Sequence, residues 1–495
     1  MSVKMLRTMA APLVLALVLA ACGQHPGVHV EGDSLAGGTN GEVDDGMNGG
    51  SGQVDDDGMA IDGDGAEVDD DFDVDGDGDG GGTGDGGGDG GDGGNGGGGG
   101  GDADTSDDGG NGGGDGDAQQ QGTQEPQGSD RTGVDDDTIT VGVHAPVTGA
   151  APLPSEAFNE AGDLYWNWVT EEKGESILGR DNVEVVFADD RYEPATARQV
   201  CRELGSRAFL VVGGGGTDQI QACGQLAAQT QVPYFSPGVT EAGLEGNPWY
   251  FAASMTYPQQ GELLAEMVRD RFGDAKTGAV VTQTPNFDGA VQGWERGVQQ
   301  HNVNYATTLR HPRGQSGWYA DFANQLGDAG VEVVYVNTSP LDYIRFAQVA
   351  SDQGHDFQFV GVGVTMGLNA VLDNGCDHVD GGLFFSPFPA LESIDDMDPE
   401  FRQAADTYGV PATDLAMAIW GISKAQHELF RKYENTFGTD LTREDFRAVV
   451  ESAGTVETGV FPPVNYSPDV DFGGQGVHIL EADCSAGEYR NAGSM

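Results

Sequence analysis

Basic residues are scarce in this sequence. Its 495 residues include 23 lysines and arginines against 81 aspartates and glutamates, a formal net charge of −58. A surface of this sign repels a phosphate backbone, so electrostatics exclude binding to nucleic acid. The acidity is not confined to one end. Residues 1–137 hold 32 acidic and 3 basic residues, which leaves 49 acidic and 20 basic residues in 138–495.

Long apolar runs are also missing, except at the N-terminus. There Lys4 and Arg7 precede an apolar stretch over residues 10–19 and the tetrapeptide Leu-Ala-Ala-Cys that ends at Cys22. This arrangement is typical of a secretory signal peptide and is too short for a comfortable membrane span. The tetrapeptide resembles the lipobox of bacterial lipoproteins. We therefore expect residues 1–22 to be a lipoprotein signal peptide and Cys22 to carry acyl chains at the extracytoplasmic face of the membrane.

Apolar side chains are nearly absent from residues 23–137, which are mainly Gly, Asp, Asn and Gln. Such a segment cannot bury enough apolar surface to offset the entropy of ordering, so we predict a disordered acidic linker. Aspartates over residues 71–79 follow the spacing of an EF-hand loop, but Gly82 stands where the bidentate Glu is required. We therefore predict no specific metal site there and no cofactor.

Cysteines number only five, and one of them is Cys22. The other four form no Cys-x-x-Cys pair and no cluster with histidine, which argues against a metal site. An even number of cysteines in an exported domain favours disulfides. We predict the pairs Cys201–Cys223 and Cys376–Cys484, although four cysteines allow three connectivities and buried free thiols are the alternative.

From Thr138 onwards, strand-like apolar runs alternate with helical patterns. TITVGVHAP, VEVVFADD, AFLVVGGGG and VPYFSPG are typical strands, and the alternation restarts with TGAVVTQT, VEVVYVNTS and FQFVGVGV. This βαβ rhythm predicts parallel sheets with helices on both faces. Because 358 residues are too many for one core, we predict an α/β protein of two Rossmann-like lobes with a ligand cleft beyond the carboxyl ends of their strands.

Four glycines, residues 213–216, follow the third predicted strand and precede a helix. Glycine permits close backbone approach, and a helix N-terminus favours an anion. Thr217 and Asp218 stand where a phosphate-binding loop needs Lys and Ser or Thr, and the third glycine of a dinucleotide fingerprint is missing. The loop therefore predicts a small carboxylate rather than a nucleotide, with a plain turn that binds nothing as the alternative.

Five segments in order resemble the solute-binding proteins of branched-chain amino-acid ABC importers: TITVGVHAPVTGAA, VVFADDRYEPATA, FLVVGGGGTDQIQAC, VPYFSPGVTEAGL and FAASMTYPQQG. The resemblance covers residues 138–495. It implies the type I periplasmic-binding fold and a lipid-anchored protein that captures an amino acid, or a related carboxylate or amide, for a membrane permease and its ATPase.

The resemblance implies three hinge crossings, near residues 255–258, 386–389 and 457–461. The first lobe would then comprise residues 138–256 and 388–458, and the second lobe residues 257–387 and 459–495. Closure of the two lobes on a small molecule would proceed by hinge motion.

The resemblance also implies which residues hold the ligand. In the first lobe the carboxylate would lie on backbone and hydroxyl groups of Gly215, Gly216, Thr217, Gly238 and Thr240. Further contacts come from Leu153, from Phe287, whose ring would cover the ligand, and from Thr338, where the family often has an aromatic residue.

The family's amino-acid binders place an acid after the strand FQFVGVGV to hold the ligand ammonium, and this sequence has Gly363 and its apolar neighbours there. A buried ammonium without a counter-charge costs several kcal/mol. We therefore expect a ligand that lacks the amine, unless Asp190 or Glu241 substitutes for the missing acid.

Two other functional classes remain open. The same fold serves ligand-sensing ectodomains, which would need a separate membrane signalling partner. An enzyme is disfavoured because residues 138–495 contain no G-x-S-x-G, H-E-x-x-H or Ser-x-x-Lys motif and no paired histidines. His144 alone at a strand end is more often structural than catalytic.

Overall fold

The computed structural model describes residues 124–149, 152–237, 243–363 and 369–495. Five of the sequence-based expectations lie outside these residues. They are the signal peptide with Cys22, residues 23–123 of the predicted disordered linker, the EF-hand-like stretch 71–82, the pair Gly238 and Thr240, and the possible substitute acid Glu241.

Five parallel strands form the first sheet: β1 (Thr138–Ala145), β2 (Asn182–Asp189), β3 (Leu210–Gly213), β4 (Tyr234–Ser236) and β5 (Tyr250–Ala252). Their spatial order is β2-β1-β3-β4-β5, with Val141 of β1 between Val185 and Leu210. Strands β3, β4 and β5 are buried throughout, because helices cover both faces of the sheet. The predicted βαβ alternation is thereby confirmed for this lobe.

Seven strands form the second sheet: β6 (Thr277–Gln283), β7 (Tyr305–Pro312), β8 (Val333–Asn337), β9 (Gln358–Val362), β10 (Leu383–Ser386), β13 (His478–Asp483) and β14 (Glu488–Ser494). Strands β6 to β10 run parallel, and the last two strands add an antiparallel edge in the order β14-β13-β10-β9-β8-β6-β7. A separate antiparallel pair consists of β11 (Gly454–Val456) and β12 (Val464–Tyr466).

The helices of the first lobe are α1 (Leu164–Asn167), α2 (Pro194–Gly205), α3 (Thr217–Thr230), α9 (Ile394–Met397), α10 (Glu400–Tyr408), α11 (Asp414–Phe437) and α12 (Arg443–Glu451). Those of the second lobe are α4 (Tyr257–Phe272), α5 (Pro285–His301), α6 (Tyr319–Asp328), α7 (Pro340–Asp352) and α8 (Asn369–Val379). A π-helical turn, Trp168–Glu172, follows α1. No helix in the described part of the chain combines the length and apolar character that a membrane span requires.

Hydroxyl side chains set the starts of several helices. An N-cap oxygen that accepts a backbone N–H satisfies one of the amides that the first helical turn leaves without a partner. Five residues cap a helix in this way: Thr256, Thr284, Ser339, Thr413 and Thr442. Two of them, Thr284 and Ser339, follow strands of the second sheet, so capping also fixes where these helices enter the cleft.

Glycines bring helices α4 and α5 unusually close together. A Cβ atom added at Gly293 would overlap the carbonyl oxygen of Pro258, and one at Gly261 would lie 2.5 Å from the carbonyl oxygen of Ala290. Trp294 is fully buried beside this contact. The pairing of α4 with α5 therefore depends on the missing side chain at Gly293.

The chain passes between the sheets three times. The first passage lies between β5 and α4, and the second follows Ser386. The third is later than the expected 457–461. Ala252 of β5 donates to the carbonyl of Asp471 at 2.9 Å and accepts from Gly473 at 3.0 Å, so residues 471–473 still extend the first sheet. The crossing comes only before His478, where β13 begins.

Residues 124–137, which we assigned to the end of the linker, lie on the first lobe. The backbone amides of Gln127 and Gly128 donate to Asp445 at 2.9 and 2.8 Å. Arg443 is 3% exposed and pairs with Asp130 at 3.0 Å, which supplies the carboxylate that a buried guanidinium needs. The described part of the chain is thus held to this lobe before Thr138.

Both predicted disulfides are present. Cys201 of α2 joins Cys223 of α3 with Cα atoms 5.7 Å apart, and Cys376 of α8 joins Cys484 after β13 with Cα atoms 5.3 Å apart. His144 lies near Cys201 and Cys223, an arrangement that could hold a metal ion if the cysteines were free. Their sulfur atoms are bonded to each other instead.

Candidate functional site

One cavity lies where the strands of both sheets end, as expected for ligand sites in parallel sheets. Residues that follow β1, β3, β4, β5, β6, β8, β9 and β10 line it, and the one after β6 is Phe287 in the first turn of α5. The cavity measures about 90 Å³. Since a cavity needs about 10–15 Å³ of such volume to hold one water molecule, this one has room for about six to nine water-sized groups. A small molecule fits this space.

Six of the predicted binding residues lie on the wall of this cavity: Leu153, Gly215, Gly216, Thr217, Phe287 and Thr338. Pro237, which precedes the undescribed Gly238, also lines it. Sequence reasoning missed a further group of aromatic and apolar residues: Phe158, Tyr192, Tyr257, Phe388, Leu415, Ala418 and Ile419. The last three come from α11, whose apolar residues gave no sign that one face points into the cleft.

The glycine loop leaves the N-terminus of α3 open to the cavity. Gly216 is the N-cap residue with φ at 78°, a conformation that favours glycine. A Cβ atom at Gly215 would lie 2.7 Å from Leu153 Cδ1, and one at Gly214 would lie 2.6 Å from the ring of Phe158. The glycines thus let backbone pack against the apolar wall, which directs the first-turn amides and the positive end of the helix dipole at the cavity.

Buried polar groups hold the side chain of Thr338 in place. Its Oγ1 accepts from Thr282 Oγ1 at 3.1 Å and lies 3.2 Å from His311 Nε2. The ring of Trp318 stacks on His311 with ring centroids 4.0 Å apart. Burial lowers the pKa of His311, which favours the neutral imidazole. The orientation of Thr338 is therefore set by its neighbours and does not require a ligand.

The structure explains why no acid stands at Gly363. This residue has φ at 60°, and an added Cβ atom would lie 2.9 Å from Tyr257 Cε1. The Tyr257 ring occupies the space that a side chain would need and packs edge-on against Phe287 with centroids 5.9 Å apart. An aromatic wall stands where the family's amino-acid binders have a carboxylate.

Asp190 does not substitute for the missing acid. It is fully buried, its Oδ2 lies 2.8 Å from His144 Nδ1, and its Oδ1 accepts from the amide of Tyr192. His144 in turn contacts the hydroxyl of Tyr234 at 2.7 Å, so this group belongs to the interior of the first lobe. Asp190 is absent from the cavity wall in the described residues.

The described wall of the cavity carries no charged side chain. Its polar groups are hydroxyls, backbone amides and the side chain of Gln260, which is 1% exposed. Gln260 Nε2 donates to the carbonyl of Met255 at 2.7 Å, while its Oε1 has no partner among the described residues. This wall suits an apolar molecule with one polar end.

Asp218 connects the two lobes at the mouth of the cleft. It lies in the first turn of α3, and its side chain is 15% exposed. It accepts from Thr284 Oγ1 at 3.1 Å and from Asn286 Nδ2, and it pairs with Arg313, all in the second lobe. Arg313 also lies over the ring of Tyr192, 4.6 Å from its centroid. We call Asp218, Thr284, Asn286 and Arg313 the interlobe clasp.

The profile of a family described as "Periplasmic binding protein" matches residues 138–488. No curated protein matches the chain in sequence. Many solved structures share its fold, and three of them are described below.

The first is a fatty acid ABC transporter substrate-binding protein from Thermomonospora curvata, at 18% identity and a TM-score of 0.64, covering 74% of this chain and 94% of that one. A branched-chain amino acid ABC transporter protein from Thermus thermophilus with bound valine has 17% identity and a TM-score of 0.62, covering 72% and 96%. A solute-binding protein from R. palustris in complex with 4-hydroxybenzoate has 18% identity and a TM-score of 0.61, covering 72% and 97%. At these identities the likeness shows the fold.

Proposed function

This chain belongs to the periplasmic binding protein family, and we propose that it captures a small carboxylate with an apolar body and no amine. The observation that carries the proposal is the uncharged, mainly apolar wall of the cavity in the described residues. An ammonium in such a cavity would have no counter-charge, which costs several kcal/mol. A carboxylate has a natural partner there, the N-terminus of α3.

We propose that the amides after Gly215 hold the carboxylate, while Leu153 and Phe287 contact the apolar body and Thr338 offers a hydroxyl. Gly238 and Thr240 remain predicted contacts. Two of the related structures agree with this ligand class, since fatty acids and 4-hydroxybenzoate are carboxylates without an amine. The valine of the Thermus protein is the counter-example, and the ring of Tyr257 beside Gly363 argues against it here.

Titration calorimetry and thermal denaturation with chosen ligands test the proposal. We expect benzoate, 4-hydroxybenzoate or octanoate to bind and to raise the Tm, since a ligand at 100 times its Kd stabilises the native state by about 2.7 kcal/mol. Benzylamine is the matched control, because it has the shape of benzoate and the opposite charge. Valine or leucine that bound while all three acids failed would refute the proposed ligand class.

We propose further that Cys22 is lipidated, so that the protein works at the extracytoplasmic face of the membrane and delivers its ligand to an ABC permease and its ATPase. Residues 23–123 would then be the tether. Two acyl chains anchor stably because each buried CH₂ contributes about 0.8 kcal/mol. In phase partition of cell extracts we expect the wild type in the detergent phase and Cys22→Ser in the aqueous phase. Membrane retention of Cys22→Ser would contradict the anchor.

A further inference from the structure

A second chamber adjoins the cavity at the mouth of the cleft. It measures about 180 Å³ and shares four wall residues with the inner cavity: Tyr192, Thr217, Phe287 and Ser339. The rest of its wall consists mainly of polar residues, apart from Gly314 and Leu341, and includes the charged residues Asp218, Arg313, Asp342 and Arg345. The outer chamber is therefore more polar than the inner cavity, and a molecule longer than the inner cavity would extend into the outer one.

Two of these four charges pair with each other, and the other two have uncharged hydrogen-bond partners. Asp218 pairs with Arg313 in the interlobe clasp. Asp342 accepts from Tyr319 Oη at 2.7 Å and from Ser339 Oγ at 2.8 Å. Burial and the neighbouring Asp342 raise the pKa of Tyr319 to about 12, so its hydroxyl stays protonated and continues to donate.

Arg345 also has an uncharged partner, because one of its N–H groups donates to the hydroxyl of Tyr319. It is exposed on α7, and among the described residues it forms no ion pair with a carboxylate. Its guanidinium presents several donors in a planar fork that matches a carboxylate. The folded part of the chain has a large excess of acidic residues, which disfavours a second anion elsewhere on the surface.

We propose that the outer chamber is a second ligand subsite, in which Arg345 binds a carboxylate at the far end of the ligand. The ligand is then a dicarboxylic acid with an apolar spacer. One carboxylate lies at the N-terminus of α3, the spacer lies between Phe287 and Leu153, and the other carboxylate reaches Arg345. This inference rests on the proposed function and specifies its substrate class.

Calorimetric titration of octanoate and octanedioate tests the subsite, because the two acids share a carbon chain and differ by one carboxylate. We expect the wild type to bind octanedioate at least tenfold more tightly. In Arg345→Gln the ratio of the two affinities should fall to near one. Arg296→Gln is the matched control, since Arg296 lies on α5 and pairs with Glu262 rather than with a cleft residue. It should keep the wild-type ratio.

The outcomes separate the two proposals. Wild-type protein that binds octanoate as tightly as octanedioate overturns the subsite and leaves the proposed function standing. An unchanged ratio in Arg345→Gln, with an unchanged Tm, also overturns it. If neither these acids nor the benzoates bind and an amino acid does, both the proposed function and the subsite fall.

Discussion

Substitution of Asp218 by alanine is expected to weaken ligand binding about 30-fold without removing any group from the inner cavity. Asp218 is the acceptor for three side chains of the second lobe, and its loss leaves Arg313 without its carboxylate. Hydrogen bonds to charged groups contribute about 1.5–3 kcal/mol, and about 2 kcal/mol corresponds to about 30-fold in Kd. Under the hinge closure that the family resemblance implies, a weaker clasp lowers the population of the closed form and the apparent affinity with it. Calorimetry with the carboxylate that binds the wild type most tightly measures the change.

The chain offers a matched control in Asp288→Ala. This substitution removes the ion pair between Asp288 and Arg310, which lies within the second lobe and is 50% and 34% exposed. An exposed ion pair of this kind contributes little free energy, so the affinity for the ligand should stay within about twofold of the wild-type value. Asp218→Ala combined with Arg313→Ala should weaken binding by less than the product of the single effects, because both remove the same contact. Equal affinities of Asp218→Ala and Asp288→Ala would show that the clasp does not contribute to closure.

Gly293→Ala is expected to destabilise the second lobe by about 3 kcal/mol. The new methyl group would overlap the carbonyl oxygen of Pro258, which is backbone of α4 and has no rotamer to move into. Overpacking of a close contact typically costs about 1–3 kcal/mol, and a backbone neighbour places this case at the upper end. The midpoint of urea unfolding, compared with wild type at equal slope, reports the loss.

Gly317→Ala is the control for this substitution. A Cβ atom at Gly317 meets nothing within 4 Å, and the residue does not adopt the left-handed conformation that favours glycine. Its unfolding free energy should therefore stay within about 0.5 kcal/mol of wild type. If Gly293→Ala were equally neutral, the close approach of α4 and α5 would not depend on the missing side chain.

The strands of the two sheets were visible in the sequence to very different degrees. Strands such as β1 and β8 are apolar runs flanked by polar residues, and their predicted ranges agree with the structure to within about two residues. Strand β5 was not predicted, because three residues give no periodicity to recognise. The late third crossing was also missed, since the pairing of residues 471–473 with β5 joins segments that are far apart in sequence.

The residues of the site were likewise predictable only where their signal is local in the sequence. Its glycine loop could be located because glycines between a strand and a helix have a local meaning, and the missing acid at Gly363 was visible against the family pattern. The reason for that absence was not visible, since Tyr257 precedes Gly363 by more than a hundred residues. The contacts of Asp218 were not visible for the same reason. In the sequence it stood only as a residue that does not fit a phosphate-binding loop, and its partners lie on another lobe.

The attachment of residues 124–137 has a mechanical consequence. Gln127, Gly128 and Asp130 are held by Asp445 and Arg443, both on α12 of the first lobe. Under the lipid anchor that we propose, any pull from the membrane side is borne by that lobe alone. The first lobe would then stay in place relative to the membrane, and the second lobe would be the one that moves. Opening and closing would move the second sheet with α4 to α8, while the path of the chain from the membrane stays unstrained.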